Sequence, residues 1–174
     1  NMFRENGQRL GIGMDSTDLA GKFSDLISGT ASKYGKRVVV LVDEYDKPLL
    51  DNLHDSQIAK KIRSGLKNLY SVLKSQDANL QFVFMTGVTK FSKVSLFSGV
   101  NQLSDITIDN RYSSICGYTD NDLQQYFSEY LAGSDPEEVR RWYNGYSWTG
   151  LESVYNPYDI LLFLDKGKVF RNYW

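Results

Sequence analysis

The sequence is poor in the residues that hold proteins together covalently or through metals, with one cysteine, Cys116, and one histidine, His54, among 174 residues. A lone cysteine forms no disulfide within the chain and suits a reducing compartment, so we expect a cytoplasmic protein. One cysteine and one histidine do not complete a structural zinc site. We expect Cys116 to be buried and inert, and His54 to lie at the surface.

The sequence also lacks an excess of charge and a long apolar run. Its formal net charge is −1, which predicts neither nucleic-acid binding nor adhesion to a membrane, although a local basic patch would leave nucleic acid open as a partner. No apolar stretch approaches the ~20 residues that cross a bilayer, and the N-terminus lacks the apolar core of a signal peptide. Because the chain begins without Met and ends on an aromatic residue, we expect a piece of a longer protein.

Two short apolar runs, Val38–Val42 and Leu80–Met85, predict strands covered on both faces, as in a parallel sheet. Between them an apolar stripe predicts a helix that begins at a cap on Asp55 or Ser56 and ends near Ser75. Strand, helix and strand without a hairpin turn predict a βαβ unit with parallel strands. An earlier helix should begin at a cap on Asp15 or Ser16 and end near Tyr34.

The last third of the chain is rich in aromatic residues, with ten between Trp142 and Trp174. The pattern predicts helices at Asp120–Leu131, Pro136–Tyr143 and Pro157–Leu164, and a turn at Asn144-Gly145. We favour rings that pack a small helical subdomain. A protein interface and base stacking on single-stranded nucleic acid remain alternatives. We therefore divide the chain into residues 1–110, an α/β core, and residues 111–174, a helical subdomain.

Acidic and hydroxyl side chains follow the two predicted strands. Asp43 and Glu44 come directly after the first, and Thr86 comes directly after the second. In open parallel sheets, ligands bind beyond the carboxyl ends of the strands. An apolar strand followed by Asp-Glu is the Walker B pattern, in which the first acid holds Mg²⁺ and the second orients the attacking water.

On this pattern Thr86 is placed to reach a γ-phosphate or that water. The alternative is that the acids have no functional role and simply mark the point at which the strand leaves the hydrophobic core. We expect the third acid, Asp46, to form a turn or cap the segment that follows.

The phosphate cradle that normally accompanies Walker B is missing. It requires Gly-x-x-x-x-Gly-Lys-[Ser/Thr] after a strand and at the start of a helix. The nearest segment, GTASKYGKR at Gly29–Arg37, has one residue too many between its glycines, has Arg37 in place of the hydroxyl residue, and precedes a strand. We therefore expect no phosphate binding there.

Several blocks of the chain, VVVLVDEYDKPLLDNL, FVFMTGVTKFSKVSLFSGVNQLSDITID, WYNGYSW and VYNP among them, resemble the AAA-ATPase-like family of bacterial and archaeal proteins. The resemblance covers about Asp15 to Trp174. It implies an α/β fold: part of a three-layer P-loop-NTPase-type parallel sheet, followed by a small helical, aromatic-rich part. It also implies ATP and Mg²⁺ as cofactors, a P-loop upstream, and often a PD-(D/E)XK-type nuclease domain downstream.

The resemblance further implies that Asp43 is the magnesium acid, Glu44 the catalytic acid and Thr86 the tip of the sensor strand, and it makes Lys90 and Lys93 candidates for contacting phosphate. We expect the intact protein to bind and hydrolyse ATP and this piece to be inactive alone. One alternative is a non-catalytic interaction module that docks a protein partner or the downstream nuclease-like domain. A weaker one is a metal-nuclease cluster of Asp43, Glu44 and Asp46.

Overall fold

The computed structural model describes residues 2–88 and 102–174, which belong to two compact units, residues 1–103 and 104–174. The division predicted after residue 110 stays a prediction about domains. Each unit has its own hydrophobic core.

The first unit is built around a two-stranded parallel sheet. Its elements are α1 (Met2–Leu10), α2 (Leu19–Tyr34), β1 (Val38–Val42), α3 (Lys47–Leu50), α4 (Ser56–Ser75), a 3₁₀ turn (Asp77–Asn79) and β2 (Leu80–Met85). β1 pairs with β2 in parallel and α4 connects them. The predicted βαβ unit with parallel strands is confirmed.

The two longest helices, α2 and α4, begin where side-chain caps satisfy their first backbone amides. Asp55 caps α4 by accepting from the amides of Gln57 and Ile58 at 2.9 and 3.0 Å, as predicted. The predicted start of α2 is wrong: the cap is Asp18, which accepts from the amide of Gly21 at 3.1 Å.

One face of the sheet is packed and the other is open. Val40 and Leu80 face a core formed with Phe23 and Ile27 of α2 and Leu73 of α4. The predicted burial on both faces is wrong for this chain, because both helices contribute to the same core. Side chains on the opposite face stay exposed: Val39 at 53 %, Leu41 at 71 % and Phe82 at 54 %.

The second unit combines short helices with a small antiparallel strand pair. Its elements are a 3₁₀ turn (Asn110–Tyr112), α5 (Asp120–Tyr126), α6 (Ser128–Leu131), α7 (Pro136–Tyr143), β3 (Asn144–Tyr146), β4 (Val154–Tyr155) and α8 (Pro157–Asp165). The single helix predicted to Leu131 is interrupted at Phe127. The turn predicted at Asn144-Gly145 is wrong, since both residues lie in β3.

Aromatic rings form the core of the second unit. Phe163 is fully buried, with ring centroids 5.3 Å from Tyr143 and 4.6 Å from Phe170. This cluster agrees with the prediction that the rings pack a subdomain. Other rings remain at the surface: Trp142, Tyr146, Trp148, Tyr158 and Trp174.

Two further sequence expectations concern the surface. Cys116 is exposed in a turn before α5, so its predicted burial is wrong. His54 is exposed, as predicted. Among the helices of residues 2–88 and 102–174, none combines the length and the apolar character needed to span a bilayer.

Candidate functional site

The strand register brings the two polar strand ends together. Val42 pairs with Met85 at the carboxyl end of the sheet, and the amide of Thr86 donates to the carbonyl of Val42 at 2.8 Å. Asp43 follows the last residue of β1 and Thr86 follows the last residue of β2. The two are therefore neighbours, although 43 positions separate them in the sequence. Asp43, Glu44 and Thr86 therefore lie together at the carboxyl edge of the sheet, as expected from the sequence.

The Thr86 hydroxyl connects the two acids. It donates a hydrogen bond to Oδ1 of Asp43 and accepts one from the backbone amide of Glu44 at 3.2 Å. A hydroxyl has a single proton to donate, and here that proton points at the carboxylate. Asp43 and Glu44 are exposed and Thr86 is half-buried. Thr86 thus orients the carboxylate of Asp43 and holds the backbone of Glu44, and both acids face solvent.

Glu44 has an uncommon backbone conformation. Its φ is 51°, in the left-handed region, which costs a residue other than glycine roughly 1–2 kcal/mol. Hydrogen bonds on both sides hold this turn: the amide of Tyr45 donates to the carbonyl of Thr86 at 2.9 Å, and that of Lys47 donates to the carbonyl of Glu44 at 3.0 Å. Such strain is concentrated at functional sites, which singles out Glu44 among the exposed acids.

Asp46 differs from the two acids before it. It has no solvent exposure, and its Oδ1 accepts from the amide of Val88 at 3.1 Å. It lies in a turn at the N-cap position directly before α3, which agrees with the prediction of a turn or cap residue, but its side chain makes no capping hydrogen bond. The carboxylate joins the loop after β1 to the segment after β2.

The metal-nuclease alternative needs three carboxylates that converge on one point. Asp43 and Glu44 face solvent, whereas Asp46 is turned inward to Val88. Within residues 2–88 and 102–174 there is no group of three or more His, Cys, Asp or Glu side chains arranged to hold a metal ion. The geometry therefore disfavours a metal centre made of these acids alone.

Two candidate residues, Lys90 and Lys93, lie outside the described residues. A shallow concave surface is lined by Ser28, Lys36, Arg37 and Asn79. Arg37 and Asn79 directly precede β1 and β2 in the chain, so this surface lies at the amino end of the two strands. It is therefore at the opposite edge of the sheet from Asp43 and has no part in this site.

Comparison with known proteins gives the family. The model of the AAA-ATPase-like family, described as "Predicted AAA-ATPase", matches residues 1–97, which is more than half of the chain. The chain belongs to this family. In this AAA-ATPase-like chain the match includes both strands and the edge that carries Asp43, Glu44 and Thr86.

A curated relative extends the likeness over nearly the whole chain. It is an uncharacterized protein in the vnfD 5' region of Azotobacter chroococcum mcd 1, 54% identical over 169 residues. The alignment covers 97% of this AAA-ATPase-like chain and 32% of the relative, so the chain spans about a third of the length of that protein. No solved structure matches the chain.

Proposed function

We propose that this chain supplies the acidic side of an ATP·Mg²⁺ hydrolysis site in a longer protein. The observation that carries the proposal is the Thr86 hydroxyl bridging the Asp43 carboxylate and the Glu44 amide at the carboxyl edge of a parallel sheet. Membership in a family described as "Predicted AAA-ATPase" supports the same chemistry. The further parts of the site come from elsewhere in the longer protein.

Asp43 fits the role of a magnesium ligand. It is an exposed carboxylate whose Oδ1 is held by Thr86, while its Oδ2 accepts no hydrogen bond from the described part of the chain. Mg²⁺ in nucleotide sites takes one or two protein carboxylates and completes its shell with phosphate and water oxygens. When bound, the ion would neutralise charge that develops on the phosphates.

Glu44 is proposed to orient the attacking water. Its side chain is exposed, and its left-handed backbone sends the chain into the turn that precedes α3. A carboxylate at this position can accept a hydrogen bond or a proton from water, and Glu44 forms no ion pair with the residues that the structure describes. The Thr86 hydroxyl donates its proton to Asp43 here. Donation to a γ-phosphate oxygen would require the hydroxyl to rotate.

The phosphate cradle is proposed to lie outside these 174 residues, with Lys90 and Lys93 as further candidates for phosphate contact. We also propose that the open sheet face of Val39, Leu41 and Phe82 is covered in the longer protein. Parallel sheets are ordinarily covered on both faces, and the additional layer would complete a three-layer P-loop-type core.

The test uses the full-length protein. Glu44→Gln keeps the size of the side chain and removes its charge, so we expect nucleotide affinity to be retained and turnover to be lost. The matched control is Glu152→Gln, at an exposed glutamate of the second unit. Phosphate release and nucleotide binding by calorimetry separate the two effects. Unchanged hydrolysis in Glu44→Gln would remove this residue from the mechanism.

A second candidate function is an interaction module without catalysis. It is favoured by the exposed rings of the second unit, among them Trp148 at 47 % and Trp174 at 78 % exposure, since aromatic residues are enriched in protein interfaces. Such a module would dock a protein partner or a downstream nuclease-like domain. Absence of ATP hydrolysis by the full-length wild type would favour this function over the first.

A further inference from the structure

A buried acid beside the site has no part in the proposed chemistry. Asp46 lies three residues after Asp43, is fully buried, and accepts from the amide of Val88 at 3.1 Å. Burying a carboxylate is costly unless hydrogen bonds compensate it. Its placement therefore indicates a structural role at this point, and the hydrogen bond from the Val88 amide connects it to the segment after β2.

Gly87 brings that segment into close contact with the loop. A Cβ atom at this position would lie 2.4 Å from a ring carbon of Tyr45 and 2.9 Å from Oδ1 of Asp46. Neither distance is compatible with van der Waals packing. The backbone between Thr86 and Val88 therefore lies directly on Tyr45 and Asp46, which only glycine permits without movement.

A helix holds the same loop from the other side. Tyr70 of α4 is 5 % exposed, and its hydroxyl donates to the carbonyl of Tyr45 at 3.3 Å. Burial, with smaller contributions from Tyr45 and Asp46, raises the pKa of Tyr70 to about 12, so it remains a donor at neutral pH. The loop is thus fixed to the core as well as to the neighbouring strand end.

We propose that these residues (Tyr45, Asp46, Tyr70, Gly87 and Val88, here called the brace) position Glu44 and Thr86 for ATP hydrolysis, with Asp46 as the principal positioning residue. This inference rests on the proposed function. The brace surrounds the strained turn of Glu44, and strained conformations persist only where their surroundings over-determine them. Without the Asp46–Val88 bond, the two strand ends are held by fewer contacts, and the spacing between the Glu44 carboxylate and the Thr86 hydroxyl becomes variable.

The experiment compares Asp46→Ala and Asp46→Asn in the full-length protein. Asp46→Ala removes the acceptor for the Val88 amide, whereas Asp46→Asn keeps a carbonyl oxygen there. Small misplacements of reacting groups lower rates strongly, so we expect the kcat of Asp46→Ala to fall by about tenfold or more, with KM for ATP within about threefold of wild type. Asp46→Asn should recover at least about threefold of the lost kcat.

The control is Asp135→Ala, which removes a carboxylate that accepts from the amide of Glu137 at 3.0 Å in the second unit. It should leave kcat unchanged. The proposal is overturned if Asp46→Ala keeps kcat within about twofold, if the control loses as much, or if ATP affinity falls in step with kcat. A parallel loss of affinity would mean that the site has collapsed instead of losing its alignment.

Hydrogen exchange gives a readout that does not depend on turnover. The amides of Tyr45 and Val88 should exchange faster in Asp46→Ala than in the wild type, with protection restored in Asp46→Asn. Unchanged exchange at both amides would refute the brace. If the wild type hydrolyses no ATP, the proposed function has failed and the role in hydrolysis fails with it, while exchange still decides whether the brace exists.

Discussion

Replacing Thr86 by valine tests the site most directly. Valine has nearly the same shape as threonine but no hydroxyl, so Thr86→Val removes two hydrogen bonds at once. One is the donation to Oδ1 of Asp43, and the other is the acceptance from the Glu44 amide at 3.2 Å. Two backbone hydrogen bonds do not involve the side chain and should persist: the Thr86 amide donates to the Val42 carbonyl, and the Tyr45 amide donates to the Thr86 carbonyl.

The magnitude follows from these two bonds. A hydrogen bond to a charged group contributes ~1.5–3 kcal/mol, and a neutral one ~0.5–1.5 kcal/mol. Both partners are exposed here, so water replaces much of what is lost, and we expect the free energy of unfolding to fall by about 1 kcal/mol. If the lost orientation raises the activation barrier by ~1.4–2.7 kcal/mol, turnover falls by about ten- to a hundredfold.

The assay is steady-state phosphate release by the full-length protein, with kcat and KM determined separately. Thr86→Ser keeps the hydroxyl and should retain most of the turnover. The matched control is Thr107→Val, which removes a bond of the same type to Asp105 at 2.6 Å in the second unit. A folded Thr86→Val variant with kcat within about twofold of wild type, or equal losses in Thr107→Val, would refute the orienting role.

Two further predictions concern alkaline pH and the open sheet face. Folding raises the pKa of Tyr70 from 10.0 to about 12. The protonated form therefore contributes its full stabilisation below pH 10, and this contribution is lost as pH rises toward 12. In Tyr70→Phe, the free energy of unfolding measured by circular dichroism should fall less steeply between pH 10 and 12 than in the wild type. An equal fall in both proteins would contradict the assignment to Tyr70. If another layer covers the open sheet face in the full-length protein, the thiol of Leu41→Cys should resist thiol reagents, while the exposed Cys116 reacts as an internal control. Equal reactivity of both thiols would contradict the proposal that a further layer covers this face.

Local signals gave the elements that depend on nearby residues. A cap at Asp55 and an apolar stripe predict α4 correctly, because both interactions are complete within one or two helical turns. The predicted start of α2 is two or three residues too early, since several polar residues before Leu19 can serve as caps. Only the hydrogen bond from Gly21 to Asp18 distinguishes them.

The candidate site was predictable in part. Two apolar runs, each followed by polar residues, predict that Asp43 and Thr86 share an edge of the sheet. The contact between their side chains depends on the strand register, which includes an irregularity between Val38 and Val39 that the sequence does not reveal. The brace depends on the same long-range pairing: the sequence correctly predicts Asp46 as a turn or cap residue, but not the contact of its side chain with the Val88 amide. Gly87 is the one local sign of the close backbone approach.

Patterns within short segments are sufficient to predict the βαβ order, the position of the acids after the first strand and the resemblance to the AAA-ATPase-like family. Three other features follow only from the folded chain: one acid is buried while two face solvent, one sheet face is open, and a hydroxyl 43 positions away orients Asp43. Those outcomes depend on which surfaces pack against each other. Packing joins residues that are distant in the chain, and no local pattern encodes it.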